Sequence, residues 1–283
     1  MNYGFVFPGG DARDAADIAH DAEQAGWDGF FVWEPVWGVD AWVSLTAAAM
    51  QTGHIRLGTM LTPLSRMRPW KLASETATLD RLSKGRIILS VGLGALDSGF
   101  EAFGEVTDRK VRAELLDEGL DILTGLWEGQ PFTYFGKHYH IEPTSFFPPP
   151  APIQRPRIPI WVVGAWPSQK SMLRVLRYDG LLPSIIGPNG KGRPITTQDI
   201  REMKTYIDDN RADTTPFDII MEGVMPTDNA QKTASFIHEW EVAGITWWLE
   251  SMWHLQGRPD GLRMLRKRVQ KGPPRPQGDH SLL

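Results

Sequence analysis

The sequence predicts an α/β fold, a (β/α)8 TIM barrel with an insertion between helix 4 and strand 5. Three observations carry this reading. Along 283 residues, eight short apolar, β-branched or aromatic runs alternate with eight longer amphipathic ones. The short runs are apolar throughout, as strands covered on both faces are. The first run is followed by "FVFPGGDARD", which lacks the G-x-G-x-x-G spacing that the rival doubly wound sheet would place there.

Taken in order, "YGFVF" (3–7) predicts the first strand. The helix after it, 11–25, begins at an Asp and carries Ala and Ile at helical spacing before Gly26. "GFFVW" (29–33) is followed by a helix over 40–52. "IRLGTM" (55–60) is followed by 69–83, which opens on Pro69, a favoured first helical residue. "RIILSV" (86–91) is followed by 107–128. Residues 129–157 interrupt the alternation: "FTYFGKHYHI" predicts a hairpin turning at Gly136-Lys137, and the proline-rich part an extended connector. The alternation resumes with "IWVVG" (160–164) and 168–178, then "GLLPSI" (180–185) and 196–212, with Thr197 as the expected N-cap. "FDIIMEGV" (217–224) precedes 228–243, capped by Asp228, and "ITWWLES" (245–251) precedes 259–270. The polar loop 186–196 follows the sixth strand and is placed to act as a lid. A single domain over 1–270 and a loose tail over 271–283 are expected.

Composition narrows the function. The chain is 41% hydrophobic, with formal net charge −4 and pI near 6.0, so a polyanionic nucleic-acid partner is disfavoured. It has no cysteine, which excludes disulfides, thiolate metal sites and cysteine nucleophiles. No secretory leader and no bilayer-length apolar run is present, and a cytoplasmic protein is expected.

In a barrel the site forms at the C-terminal ends of the strands. The candidates are therefore Phe7, Trp33-Glu34, Met60-Leu61-Thr62, Leu93-Gly94, Gly164-Ala165-Trp166, Ser184, Glu222 and Glu250. No lysine ends a strand, which argues against Schiff-base chemistry. His138 and His140 sit in the insertion hairpin, away from any strand-end metal site, so no metal is expected. Glu222 and Glu250 either form an acid–base pair or bind backbone around the rim. The remaining ends are apolar, aromatic or glycine, a lining that suits a large flat ligand carrying its own chemistry. In "GAWPSQKSML", Ser168 and Gln169 open a helix beside Lys170. They form either a phosphate cradle or an ordinary cap. "FFVWEPVWGVDAW" (30–42) reads as core up to Trp33 and site wall from Glu34 on, with Trp37 beside it.

Residues 55–104, "IRLGTMLTPLSRMRPWKLASETATLDRLSKGRIILSVGLGALDSGFEAFG", together with "AEQAGWDGFFVWE" and "IPIWVVGAWPS", resemble the bacterial-luciferase-like superfamily of flavin- and F420-dependent oxidoreductases. The resemblance runs from residue 1 to about 270. It implies a TIM barrel holding a reduced flavin or deazaflavin, an insertion like 129–157, and a homodimer. It places a cis non-proline bulge at Met60-Leu61-Thr62 behind the ring, and the cofactor phosphate near Leu93-Gly94-Ala95, Gly164-Ala165 and Ser168. Two departures stand out. Pro35 occupies the place of the family's proton-transferring histidine, which leaves Glu34 as the candidate catalytic acid–base group. Leu93 stands where luciferase has a phosphate-binding arginine. The resemblance therefore implies an oxidoreductase, with a reduced-FMN-dependent monooxygenase of a small apolar substrate placed slightly ahead of an F420-dependent hydride transferase. A non-catalytic flavin-binding barrel is the third reading. A separate flavin or F420 reductase is the expected partner. F420 carries a long anionic tail, for which Lys170, Lys191, Arg193, Arg66 and Arg68 are the available cations.

Overall fold

The computed structural model describes residues 1–144, 150–187, 192–226 and 229–274. Eight parallel strands close on themselves. In chain order the strands are β1 (Asn2–Phe7), β2 (Gly29–Val32), β3 (Arg56–Thr59), β4 (Thr62–Pro63), β5 (Ile87–Gly92), β6 (Phe132–Phe135), β7 (His140–Thr144), β8 (Ile160–Trp166), β9 (Gly180–Ile185), β10 (Asp218–Gly223) and β11 (Trp247–Ser251). The barrel runs β1-β2-β3-β5-β8-β9-β10-β11 and returns to β1 through the Phe5–Glu250 register. β4 resumes the third barrel strand after a break at Met60-Leu61 and pairs with β5. β6 and β7 form the antiparallel insertion hairpin.

The helices are α1 (Ala12–Gln24), α2 (Ala41–Gln51), α3 (Pro69–Leu82), α4 (Arg109–Glu128), α5 (Gln169–Val175), α6 (Thr197–Asn210), α7 (Ala230–Ala243) and α8 (Gly261–Val269). Two cap assignments shift. Thr196, not Thr197, caps α6, because its hydroxyl and the Asp199 carboxylate satisfy each other's backbone N–H in a capping box. Asn229 caps α7, while Asp228 lies outside the described residues, as do Lys191 and residues 275–283 of the tail.

Strand alternation divides the apolar residues into two layers. Val6, Phe31, Ile88, Trp161, Leu182, Ile220, Trp247 and Leu249 point into the barrel. Their neighbours in sequence, such as Phe5, Phe30, Leu89, Val162 and Trp248, pack outward against the helices. The barrel floor is aromatic. Phe31 stacks on Trp161 at 5.4 Å between centroids, and Trp161 meets Trp247 at 5.3 Å. Glycines make room for Phe31: a Cβ at Gly4, Gly29 or Gly58 would lie 2.6–2.8 Å from its ring. Such crowding explains why three inward strand positions carry no side chain.

The insertion is tied to the barrel by two carboxylates. Glu118 on α4 accepts hydrogen bonds from the backbone N–H of Lys137, His138 and Tyr139 at the hairpin turn. Asp80 on α3, fully buried, accepts from Ile153 N at 2.8 Å and from Gln154 Nε2 at 2.6 Å. Among the described residues no helix is long and apolar enough to cross a membrane.

Candidate active site

A cavity of about 1000 Å³ opens at the C-terminal ends of the strands. Eleven of the predicted site residues line it: Trp33, Glu34, Met60, Leu61, Leu93, Gly94, Ala95, Ala165, Ser168, Ser184 and Glu222. The remaining seven do not reach it, and strand parity accounts for most of them. Phe7 follows Phe5 outward and meets Phe30 in the helix layer. Gly164 and Trp166 alternate with inward Val163 and Ala165. A Cβ on Gly164 would strike Leu181 and Val175, and the Trp166 ring rests edge-on against Tyr206 on α6. Glu250 lies on the outer face of β11, fully buried. It accepts from Arg268 Nε of α8 and from Met225 N, both at 3.0 Å, so its role is structural and it forms no pair with Glu222. Thr62 is buried in the wall, its hydroxyl donating to Thr59 Oγ1 at 3.0 Å. Trp37 is 81% exposed and Gln169 is also on the surface.

Glu34 follows β2 and faces the cavity. Its Oε2 is buried and has no hydrogen-bond partner, and Oε1 is 3.9 Å from Arg66 Nη2. Burial raises its pKa from 4.5 to about 7, against the opposing pull of Arg66 and Thr62. Arg66 spends its strong contacts on the backbone carbonyls of Glu34 and Pro35, at 3.1 and 2.7 Å. It thereby fixes the loop that presents the acid. Glu222, inward on β10, is also raised by burial, although it accepts from Trp253 Nε1 at 3.3 Å. Trp253 meets Trp33 edge to face at 6.5 Å.

Near β5 the wall is backbone. The Met60–Leu61 peptide is cis, at the position the resemblance gave for the bulge. Gly94 has φ +79°, and a Cβ there would lie 2.8 Å from both Phe100 and Pro63, so glycine alone fits. Arg112 Nη1 donates to Leu93 O and Gly94 O at 3.0 and 3.1 Å, while its Nε is buried without a partner. Ser168 is the N-cap of α5, yet its side chain makes no capping bond. Ser168 caps through its carbonyl, which accepts from Met172 N at 3.0 Å, and the residue lines the cavity. α5 has seven residues, so its dipole is short and the side chains matter more.

The basic groups on the wall only partly match those expected from the sequence. Of the five cations considered, Lys191 lies outside the described residues, and among the other four only Lys170 lines the cavity. Arg66 holds the Glu34 loop, Arg68 lies over Trp70 at 5.8 Å, and Arg193 is paired with Asp199 at 2.7 Å. Arg109, Lys110 and Arg112 of α4 and Arg174 of α5 take their place on the wall. Arg174 is committed to Asp117, whereas Arg109, Lys110 and Lys170 form no ion pair among the described residues. The run "DRKVR" at the start of α4 was the available signal. His138 bonds Glu114 at 2.8 Å, and among the described residues no cluster of three His, Asp or Glu could hold a metal.

A closed parallel barrel with a strand-end cavity, a buried acid and a cationic margin is the build of a ligand-dependent barrel enzyme. The sequence model of the luciferase-like monooxygenase family matches residues 4–215, and the chain belongs to that family of oxidoreductases. It is 29% identical over 231 residues to an F420-dependent glucose-6-phosphate dehydrogenase of Nakamurella multipartita, covering 70% of this chain and 65% of the relative. It is 34% identical over 139 residues to an uncharacterized protein of Mycobacterium tuberculosis, covering 49% of this chain and 47% of that one. The matches thus span less than two-thirds of these relatives. Among solved structures, an F420-dependent secondary alcohol dehydrogenase in complex with an F420-acetone adduct has a similar fold, with TM-score 0.73 and 17% identity over 95% of this chain and 99% of that one. The FMN-bound oxygenating constituent of 3,6-diketocamphane monooxygenase from Pseudomonas putida gives TM-score 0.60 and 20% identity, covering 80% and 67%.

Proposed function

We infer that this chain is an F420-dependent oxidoreductase that exchanges a hydride with a small substrate. One observation carries the reading. The cavity that exposes the Leu93-Gly94 turn is bordered by three cations without ion-pair partners, Arg109, Lys110 and Lys170, more than the single phosphate of FMN requires. They suit the longer anionic tail of F420. Ser168, whose hydroxyl makes no capping bond, lines the same wall as these cations, so the residues fit such a group. Relatives named for F420 point the same way.

When bound, the deazaflavin supplies a carbon that accepts or releases hydride. The chain supplies the rest. The Leu93–Ala95 backbone, Arg112, Ser168 and Lys170 bind the anionic part. Met60, Leu61 and Val163 wall the ring region, and Trp33 and Trp253 exclude water. Glu34, whose side chain lines the cavity, exchanges a proton at the substrate oxygen. With its pKa near 7, it is poised to act in either direction at neutral pH.

A second reading, a reduced-FMN-dependent monooxygenase, draws support from the apolar wall of Trp33, Met60, Leu61, Val163 and Trp253. Absorbance titration with F420 and with FMN separates the two. F420 should bind at least about tenfold more tightly, about 1.4 kcal/mol. Tighter FMN binding transfers the assignment to the monooxygenase, and binding without turnover across a substrate panel favours a non-catalytic barrel. The reading also brings a separate reductase as partner and a homodimer, the latter checked by sedimentation.

A further inference from the structure

Charge is unevenly divided across this one cavity, with the cations at one end beside a single acid, Asp108, whose carboxylate caps α4 through Val111 N. Every lining cation, Arg109, Lys110, Arg112, Lys170 and Arg174, comes from α4 or α5, beside β5 and β8. Across the barrel, flanking β1 and β11, the lining groups that titrate are two carboxyls, Glu34 and Glu222, and no Lys or Arg among the described residues lines that end. Between the carboxyls stand Trp33 and Trp253, edge to face. Glu34 keeps one buried oxygen unpartnered, and Glu222 accepts from the Trp253 indole and from the Ser251 hydroxyl.

We propose that this end of the cavity takes an uncharged, apolar-bodied substrate bearing a hydroxyl or carbonyl, held between Glu34 and Glu222 over the two tryptophans, and that it rejects phosphorylated and carboxylated substrates. The inference rests on the reading that the cationic end holds the cofactor. Three physical arguments support it. An anion brought to this end meets no lining cation, because Arg66, 3.9 Å from Glu34, stands behind the lining and donates to the Glu34 and Pro35 carbonyls, and each carboxyl that ionises adds a repulsion. Burial favours the protonated form of both acids, and a protonated carboxyl donates to a carbonyl or accepts from a hydroxyl. The indole faces suit a hydrocarbon body. A phosphosugar, the substrate named for several relatives, is therefore the wrong class for this chain.

Difference infrared spectroscopy at pH 6 tests this without turnover. Subtracting the spectra of Glu34→Gln and Glu222→Gln from wild type assigns each carboxyl or carboxylate band to Glu34 or to Glu222. Cyclohexanone, glucose 6-phosphate and cyclohexylammonium are then added separately, with and without F420. Cyclohexanone should shift the assigned bands, and glucose 6-phosphate should leave them in place at a hundredfold higher concentration. Bands unmoved by cyclohexanone, or moved equally by glucose 6-phosphate, overturn the proposal, as does tighter binding of cyclohexylammonium. If a variant fails to fold, Glu34→Asp or Glu222→Asp, which keeps the carboxyl and displaces its band, supplies the assignment. Failure of F420 to bind, read from its own absorbance, would refute the cofactor reading and leave the band test standing.

Discussion

Replacing Glu34 by Gln should stabilise the protein at alkaline pH and leave it nearly unchanged in acid. The reason is linkage. The glutamate titrates near 4.5 when unfolded and near 7 when folded, because burial penalises its charge. Between those values the folded state retains a proton that the unfolded chain has released, so stability falls as pH rises through this window. Below it both states are protonated and the penalty vanishes. Above it the penalty is complete, about 3 kcal/mol. Glutamine cannot ionise, so the variant escapes the penalty, and about 2 kcal/mol of its advantage develops between pH 5.5 and 8. At a chain length of 283 residues, the full effect is about 5 °C in Tm. Arg66 keeps its bonds to the Glu34 and Pro35 carbonyls in the variant, and Glu222 and Asp218, both raised by burial, titrate alike in both proteins. Urea unfolding of each at the two pH values gives the comparison. A stability gap of the same size at both would mean that Glu34 is ordinarily ionised in the fold, and its assignment as a neutral-pH acid–base group would fall with it.

Three other substitutions separate scaffold from site. Arg268→Ala strands the fully buried Glu250 and should lower stability by about 3–5 kcal/mol in denaturant titration, with ligand affinity unchanged because the pair lies on the helix side of β11. Gly94→Ala forces a side chain onto φ +79° and against Phe100 and Pro63; a loss of about 1–3 kcal/mol in thermal unfolding is expected, together with weakened cofactor binding. Ser168→Asp sets a negative charge beside the proposed phosphate position and should reduce F420 affinity about tenfold or more by absorbance titration; unchanged affinity would move the phosphate elsewhere.

The barrel was legible because buried parallel strands write continuous apolar runs, and all eight were found within a few residues of their ends. The site was half legible. Strand ends named the right neighbourhood, but alternation along each strand decides which side chain looks inward. Glu222 and Glu250 read alike as strand-end acids. Yet Ile220 and Glu222 share the inner face of β10, whereas Glu250 shares the outer face of β11 with Trp248. Counting by twos from the inward Trp247 would have separated them. The cations of α4 were harder to see, since a helix start rich in Arg and Lys looks like any solvated surface until the loop before it folds over the strand ends.

The aromatic floor has a kinetic consequence. Phe31, Trp161 and Trp247, set among Gly4, Gly29 and Gly58, seal the barrel below the cavity, so the site is a cup and not a tunnel. Two ligands sharing a cup must pass through one mouth, and the one seated deeper must enter first and leave last. A two-ligand enzyme built this way is expected to work by compulsory order, with product release gated by whatever covers the rim.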